Sequence, residues 1–185
     1  MLVFLLAAVV VSAIAAICDL RTGRIPNWLM FGTLGLAVAG HFVRGALLGG
    51  LGDAGAQAAL SLAGAIFCAL SPGVLYLKHG MGGGDLKLFA ALGALCHPML
   101  GIELELYAFA LTVLVVPGKL VYEGRLLRVL GSSYALVRNA FLPASKRRTL
   151  PPDAMSWVPL GPAVFGGALV TLALHHAAGA LSRLL

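Results

Sequence analysis

Apolar residues fill this chain in long blocks, and short polar or glycine-rich interruptions mark where each block ends. The first block, about Leu2–Cys18, stops at Asp19-Leu-Arg-Thr-Gly-Arg24. Ile25-Pro26-Asn27 follows. A proline disfavours helical backbone at the residue before it, so Ile25 should stand between helices. Asn27 is then placed to cap a second helix, about Trp28–Leu47. A glycine-rich loop, Gly49–Gly55, leads to a third helix, about Ala56–Leu77. The next interruption, Gly80-Met-Gly-Gly-Gly-Asp-Leu-Lys87, is the most polar of all. Beyond it the pattern predicts a short fourth helix, about Leu86–Leu100, and a fifth, about Leu104–Leu120. A sixth, about Val158–Leu181, opens with Pro159-Leu-Gly-Pro162, residues suited to a first turn. The excursion between the last two, Tyr122–Trp157, is basic and amphipathic in outline. It reads either as a segment lying along a membrane surface or as a solvated loop.

Composition turns these blocks into spans. Hydrophobic residues make up 60% of the chain and charged ones 11%, with a mean hydropathy of +0.97, whereas a soluble domain carries about 25% charged residues. Each block approaches the ~20 residues that cross a bilayer. The expected fold is therefore all-α, a polytopic membrane protein of about six transmembrane helices forming one domain over residues 1–185, with no room for a separate soluble domain. The N-terminus lacks a basic stretch before its apolar run, which favours a retained first helix over a cleaved signal. Cys18, Cys68 and Cys96 are scattered singly, so neither a zinc knuckle nor a redox pair is indicated.

Charge then orients the spans. A net charge of +6 would suggest nucleic acid for a soluble protein. Here the excess of Lys and Arg on the cytoplasmic side of membrane proteins explains it, and no nucleic-acid partner is called for. Eleven of the thirteen basic residues fall in the first, third and fifth interruptions: Arg21, Arg24, Lys78, Lys87, Lys119, Arg125, Arg128, Arg138, Lys146, Arg147 and Arg148. Those loops face the cytoplasm, and both termini face outward. Asp19 and Asp85 consequently share the cytoplasmic side, each at a helix end beside a Pro- or Gly-containing turn.

Two carboxylates within a few ångströms cannot both ionise cheaply, so the pair shares a proton. The ionised member can take a proton from water while the other donates to a substrate carbonyl, which is peptide hydrolysis without metal or covalent intermediate. No cofactor is needed. Gly82, Gly83 and Gly84 would let an extended substrate backbone pass close to the acid. Lys87 is placed to stabilise the negative charge or hold a substrate carbonyl, or else to anchor the helix at the interface.

Gly82-Gly83-Gly84-Asp85 fits the Gly-x-Gly-Asp signature of polytopic aspartyl proteases. The longer run Gly82–Leu92 and the earlier Asp19–Asn27, ending in Ile25-Pro26-Asn27, resemble the prepilin leader peptidases. They are most similar to the short form associated with tight-adherence (Flp, type IVb) pilus assembly, and the Pro159–Ala163 opening of the sixth helix also looks family-like. The resemblance implies that Asp19 and Asp85 are the catalytic pair. It further implies removal of a short basic leader, after a glycine and before the prepilin's hydrophobic helix, at the cytoplasmic face of the inner membrane. Longer relatives carry an N-terminal cytoplasmic portion with paired cysteines, linked to N-methylation of the trimmed pilin. Such pairs are lacking here, so peptidase activity without methyltransferase activity is expected.

The remaining polar residues have plainer readings. Arg21 and Arg24 could pair with Asp19 or serve only to orient the chain. The histidines are expected not to converge: His79 sits near the glycine loop, and His41, His97, His175 and His176 fall toward the outer side, so no metal site is expected. Glu103 and Glu105 read as polar residues of an outer loop, while Glu123 and Asp153 could meet a basic leader if the long loop folds back. Two other classes stay open. One is another Gly-x-Gly-Asp enzyme, such as a preflagellin peptidase or a protease cutting within helices. The other is a small proton-coupled transporter, disfavoured because such groups usually lie near the membrane midplane.

Overall fold

The computed structural model describes residues 1–78, 80–122 and 160–181, and all regular structure among them is helical. The helices are α1 (Leu2–Thr22), α2 (Asn27–Leu77), α3 (Gly83–Tyr122) and α4 (Gly161–Leu181). They fall into two compact units. The larger contains the described residues up to Leu111 together with α4, and the smaller contains Thr112–Tyr122. His79 and the expected surface segment Tyr122–Trp157, apart from Tyr122 itself, lie outside the described residues.

The all-α class holds, and three helices among the described residues are long and apolar enough to cross a membrane: Leu2–Thr22, Asn27–Leu77 and Gly83–Val115. Six separate helices do not appear. The expected loop Gly49–Gly55 is helical except at Gly50, whose φ of 81° and ψ of −168° belong to a region essentially reserved for glycine. Likewise the expected fourth and fifth helices are one element, broken only at His97 (φ 62°, ψ 170°). The physical reason is backbone accounting. In an apolar setting every unpaired N–H and C=O is costly, so the chain keeps its helical bonds up to a single residue rather than opening a loop.

The chain reverses at both breaks. Gly45 abuts the backbone of Asp53 and Ala54, where a Cβ would lie 2.6 Å from the Asp53 carbonyl oxygen. Gly101 similarly faces Gly93 across the His97 break. His97 is held there by a bond of 3.0 Å between its Nε2 and His41 Nδ1, while His41 Nε2 lies 3.0 Å from the Leu95 carbonyl. The Phe4 ring stacks on His41 at 3.7 Å. The histidines were expected to stay apart, yet these two meet, because each lies on a limb that runs toward the same end of the unit.

The limb of α3 between Gly83 and Cys96 is the most enclosed among the described residues. Leu88, Phe89, Ala91, Leu92, Ala94, Leu95 and Cys96 are all buried. The later limb of α2 crosses it with Gly64 and Gly93 in backbone contact, and Ser61 Oγ donates to the Ala94 carbonyl at 2.8 Å. Such small-residue crossings let helices approach closely in a membrane, where apolar side chains gain nothing by leaving lipid. By contrast α1 buries only one stripe, Leu5, Ala8, Ser12, Ala15 and Asp19, and exposes Val3, Leu6, Val10, Ile17 and Leu20 on the other side.

Two further expectations change. Glu103 and Glu105 are not in a loop, because the reversal at His97 is so tight that both enter the helix beyond it. Glu105 is buried and accepts a hydrogen bond from Ser71 of α2, while Glu103 pairs with His175 of α4 at 2.8 Å. Asn27 is not the cap of α2. Pro26, with extended backbone, holds that position, and Asn27 is the first helical residue with its side chain turned elsewhere.

Candidate active site

Asp19 occupies the last turn of α1 and is 3% exposed. It is buried because it continues the inward stripe of that helix, at spacings of three and four residues from Leu5 through Ala15. Helix α1 stops just beyond it at Gly23, whose backbone is left-handed and whose N–H bonds the Asp19 carbonyl at 2.9 Å. The Asp19 side chain meets the opening of α4, where the Gly161 N–H donates to its Oδ2 at 2.9 Å.

Asp85 stands in the first turn of α3, which begins at Gly83, three residues before the expected start. It is 8% exposed. The Gly82 N–H, on the residue before the helix, faces its carboxyl, as the free N–H groups of a helix start face an acid in the first turn. The reading of Asp85 as a local cap and the reading of it as a reactive acid are therefore compatible. Asp19 lies close enough for the two carboxyl groups to interact electrostatically. Helix α1 and the start of α3, 66 residues apart along the chain, thus deliver their acids to one place.

The two motifs also touch beside the acids. Gly84 faces Ile25 at ordinary packing distance, 3.5 Å from where a Cβ would stand. Lys87 Nζ donates to Asn27 Oδ1 at 2.9 Å and lies 5.5 Å above the Phe31 ring. The Lys87 ammonium thus ties the first turn of α3 to the first turn of α2. Gly83 packs against the Tyr76 ring, and the Gly82 N–H faces Asp85. Arg21 and Arg24 are exposed, and among the described residues neither forms an ion pair with Asp19. Cys18, next to Asp19, is half-buried, and the described histidines lie on other parts of the helices.

The sequence reading missed Gly161 as a site residue. Its only signal was the Pro-Leu-Gly-Pro opening of the last helix, which suggests a helix start but not what that start faces. A pair of buried, interacting carboxyls, one of them held by a peptide N–H, is suited to sharing a single proton and activating water.

Residues 5–117 match the model of a family described as the Type IV leader peptidase family. No curated protein and no solved structure matches the chain. The matched stretch contains both aspartates and both motifs, and it ends before α4.

Proposed function

Because the chain belongs to the type IV leader peptidase family, an aspartic peptidase family acting on prepilins, we propose that Asp19 and Asp85 are its catalytic pair. The observation that carries this is that both are buried, each on a helix end, and within reach of one another's charge. One carboxylate takes a proton from water, and the resulting hydroxide-like oxygen attacks the scissile carbonyl carbon. The other carboxyl, protonated, gives its proton to the carbonyl oxygen. Collapse of the tetrahedral intermediate breaks the C–N bond, with a proton passing to the leaving amine, and the pair again shares one proton.

The substrate is a prepilin of the type IVb (Flp-like) kind, cut between its short basic leader and its hydrophobic helix at the cytoplasmic face of the inner membrane. Gly82, Gly83 and Gly84 border the path of the substrate backbone, and Lys87, seated on Asn27, keeps the two motifs together beside it. The breaks at Gly50 and His97 divide α2 and α3 into two spans each, giving six with α1 and α4. At 1.5 Å per residue, an unbroken helix of the length of α2, 51 residues, would reach about 76 Å, more than twice a hydrocarbon core. Co-expression with a type IVb prepilin, read as leader removal on a gel, tests the assignment. A folded Asp19→Asn or Asp85→Asn enzyme that still trims the prepilin would be incompatible with it.

A further inference from the structure

We infer that Gly161 is a positioning residue for this reaction: its peptide N–H holds Oδ2 of Asp19, and its missing side chain vacates the space that carboxyl occupies. The inference rests on the assignment of Asp19 to the catalytic pair and adds to it a residue outside the stretch matched to the family.

A carboxylate has two oxygens, and its usefulness as a base depends on which one faces the water. Oδ2 of Asp19 accepts the Gly161 N–H at 2.9 Å. A peptide N–H only donates, so that oxygen is committed as an acceptor and Oδ1 is left for water or for the proton shared with Asp85. The fit around Gly161 is closed. A Cβ there would lie 2.9 Å from the Ala16 Cα and 3.0 Å from both the Cβ and Oδ2 of Asp19. Backbone on one side and the carboxyl on the other leave no flexible end to give way, so a side chain would displace either α4 or Asp19. The N–H also comes from the first residue of α4, where the free N–H groups of a helix start carry partial positive charge.

Helix α4 supplies its own controls. At Gly166 a Cβ would meet only Leu111 Cδ1, the end of a flexible side chain. At Gly167 it would strike the backbone of Ala108 and the Leu104 carbonyl, a packing contact away from the acids. An effect specific to Gly161 is therefore separable from a general loosening of the helix.

The test measures steady-state prepilin cleavage and thermal stability for the full-length enzyme in lipid vesicles. Gly161→Ala should lower kcat about 100-fold, the cost of a roughly 1 Å misplacement of a reacting group, with KM within about twofold of wild type. Gly166→Ala should cleave normally. Gly167→Ala should lose thermal stability at least as much as Gly161→Ala while keeping kcat within a few-fold. A second variant adds no atoms: glycolic acid incorporated at position 161 replaces the N–H by an ester oxygen. It should lower kcat about tenfold, as expected for a lost hydrogen bond to a charged group. Wild-type kcat in the ester variant overturns the inference, as does a kcat loss in Gly167→Ala equal to that in Gly161→Ala. Asp19→Asn separates the two levels. An active Asp19→Asn enzyme means that the catalytic assignment has failed. An inactive one, beside an ester variant with wild-type kcat, means that only the positioning role has failed.

Discussion

The two aspartates are held in opposite ways. Asp85 is set by its own neighbourhood, in the first turn of a helix with the Gly82 N–H three residues before it facing its carboxyl. Asp19 is fixed from far along the chain, by an N–H 142 residues away. The backbone around Asp85 is thus in place once one helical turn has formed, although its burial needs the neighbouring helices. The Asp19 corner exists only when α4 lies against α1. A reaction that needs both acids inherits the less local of the two requirements, so assembly of the helices, more than the motif itself, sets whether the pair is competent.

The largest way to break the comparison is to remove either acid's ability to exchange protons. Asp19→Asn and Asp85→Asn should each abolish leader cleavage, and the double variant should be no worse, because groups acting as a unit are not additive. Asp53→Asn, beside the Gly50 reversal, should cleave normally. Next comes pH. A pair that must hold one proton should give a bell-shaped profile of kcat/KM, falling on the acid side as both carboxyls protonate and on the alkaline side as both ionise. Its two limbs belong to the pair rather than to either residue. A flat profile would count against a shared proton.

Smaller effects sharpen the contrast between the corners. Gly84 stands beside Asp85 as Gly161 stands beside Asp19, yet a Cβ at Gly84 makes only ordinary contact with Ile25 at 3.5 Å. Gly84→Ala should leave the melting temperature unchanged or raised, since alanine is the better helix former by about 1 kcal/mol. Any kinetic cost should appear in KM, where the substrate backbone passes. A kcat loss matching that of Gly161→Ala would erase the distinction. The smallest effect concerns the Lys87–Asn27 bond, which is solvent-exposed. A double-mutant cycle of Lys87→Met and Asn27→Ala on kcat/KM should return a coupling of about 1 kcal/mol or less.

The same division explains what could be read from the chain alone. Asp85 with its glycines, and Asp19 at the end of the first apolar block before Ile25-Pro26-Asn27, were legible because each rests on spacing within a few residues. The six apolar blocks gave the helical class, but not that the reversals at Gly50 and His97 would need one non-helical residue apiece. That error moved Glu105 into a loop, when its carboxyl is buried on Ser71. Contacts across the fold left no periodic trace. His41 meets His97 across 56 positions and Lys87 meets Asn27 across 60, and neither separation carries a pattern that hydrophobic spacing could reveal. Gly161 was hidden most completely, since glycine presents no chemistry of its own and acts here through its backbone.

The long reach from Asp19 to Gly161 also sets a clock. Chains are made at about 5–20 residues per second, so the 142 intervening positions delay the Gly161 N–H by roughly 7 to 28 seconds after Asp19 is synthesised. During that interval the Asp19 carboxyl is without the Gly161 N–H that holds it in the finished fold. The contact between Asp19 and Gly161 therefore becomes possible only after α1, α2 and α3 have all been made, and the order of synthesis places it behind every contact those three helices make among themselves.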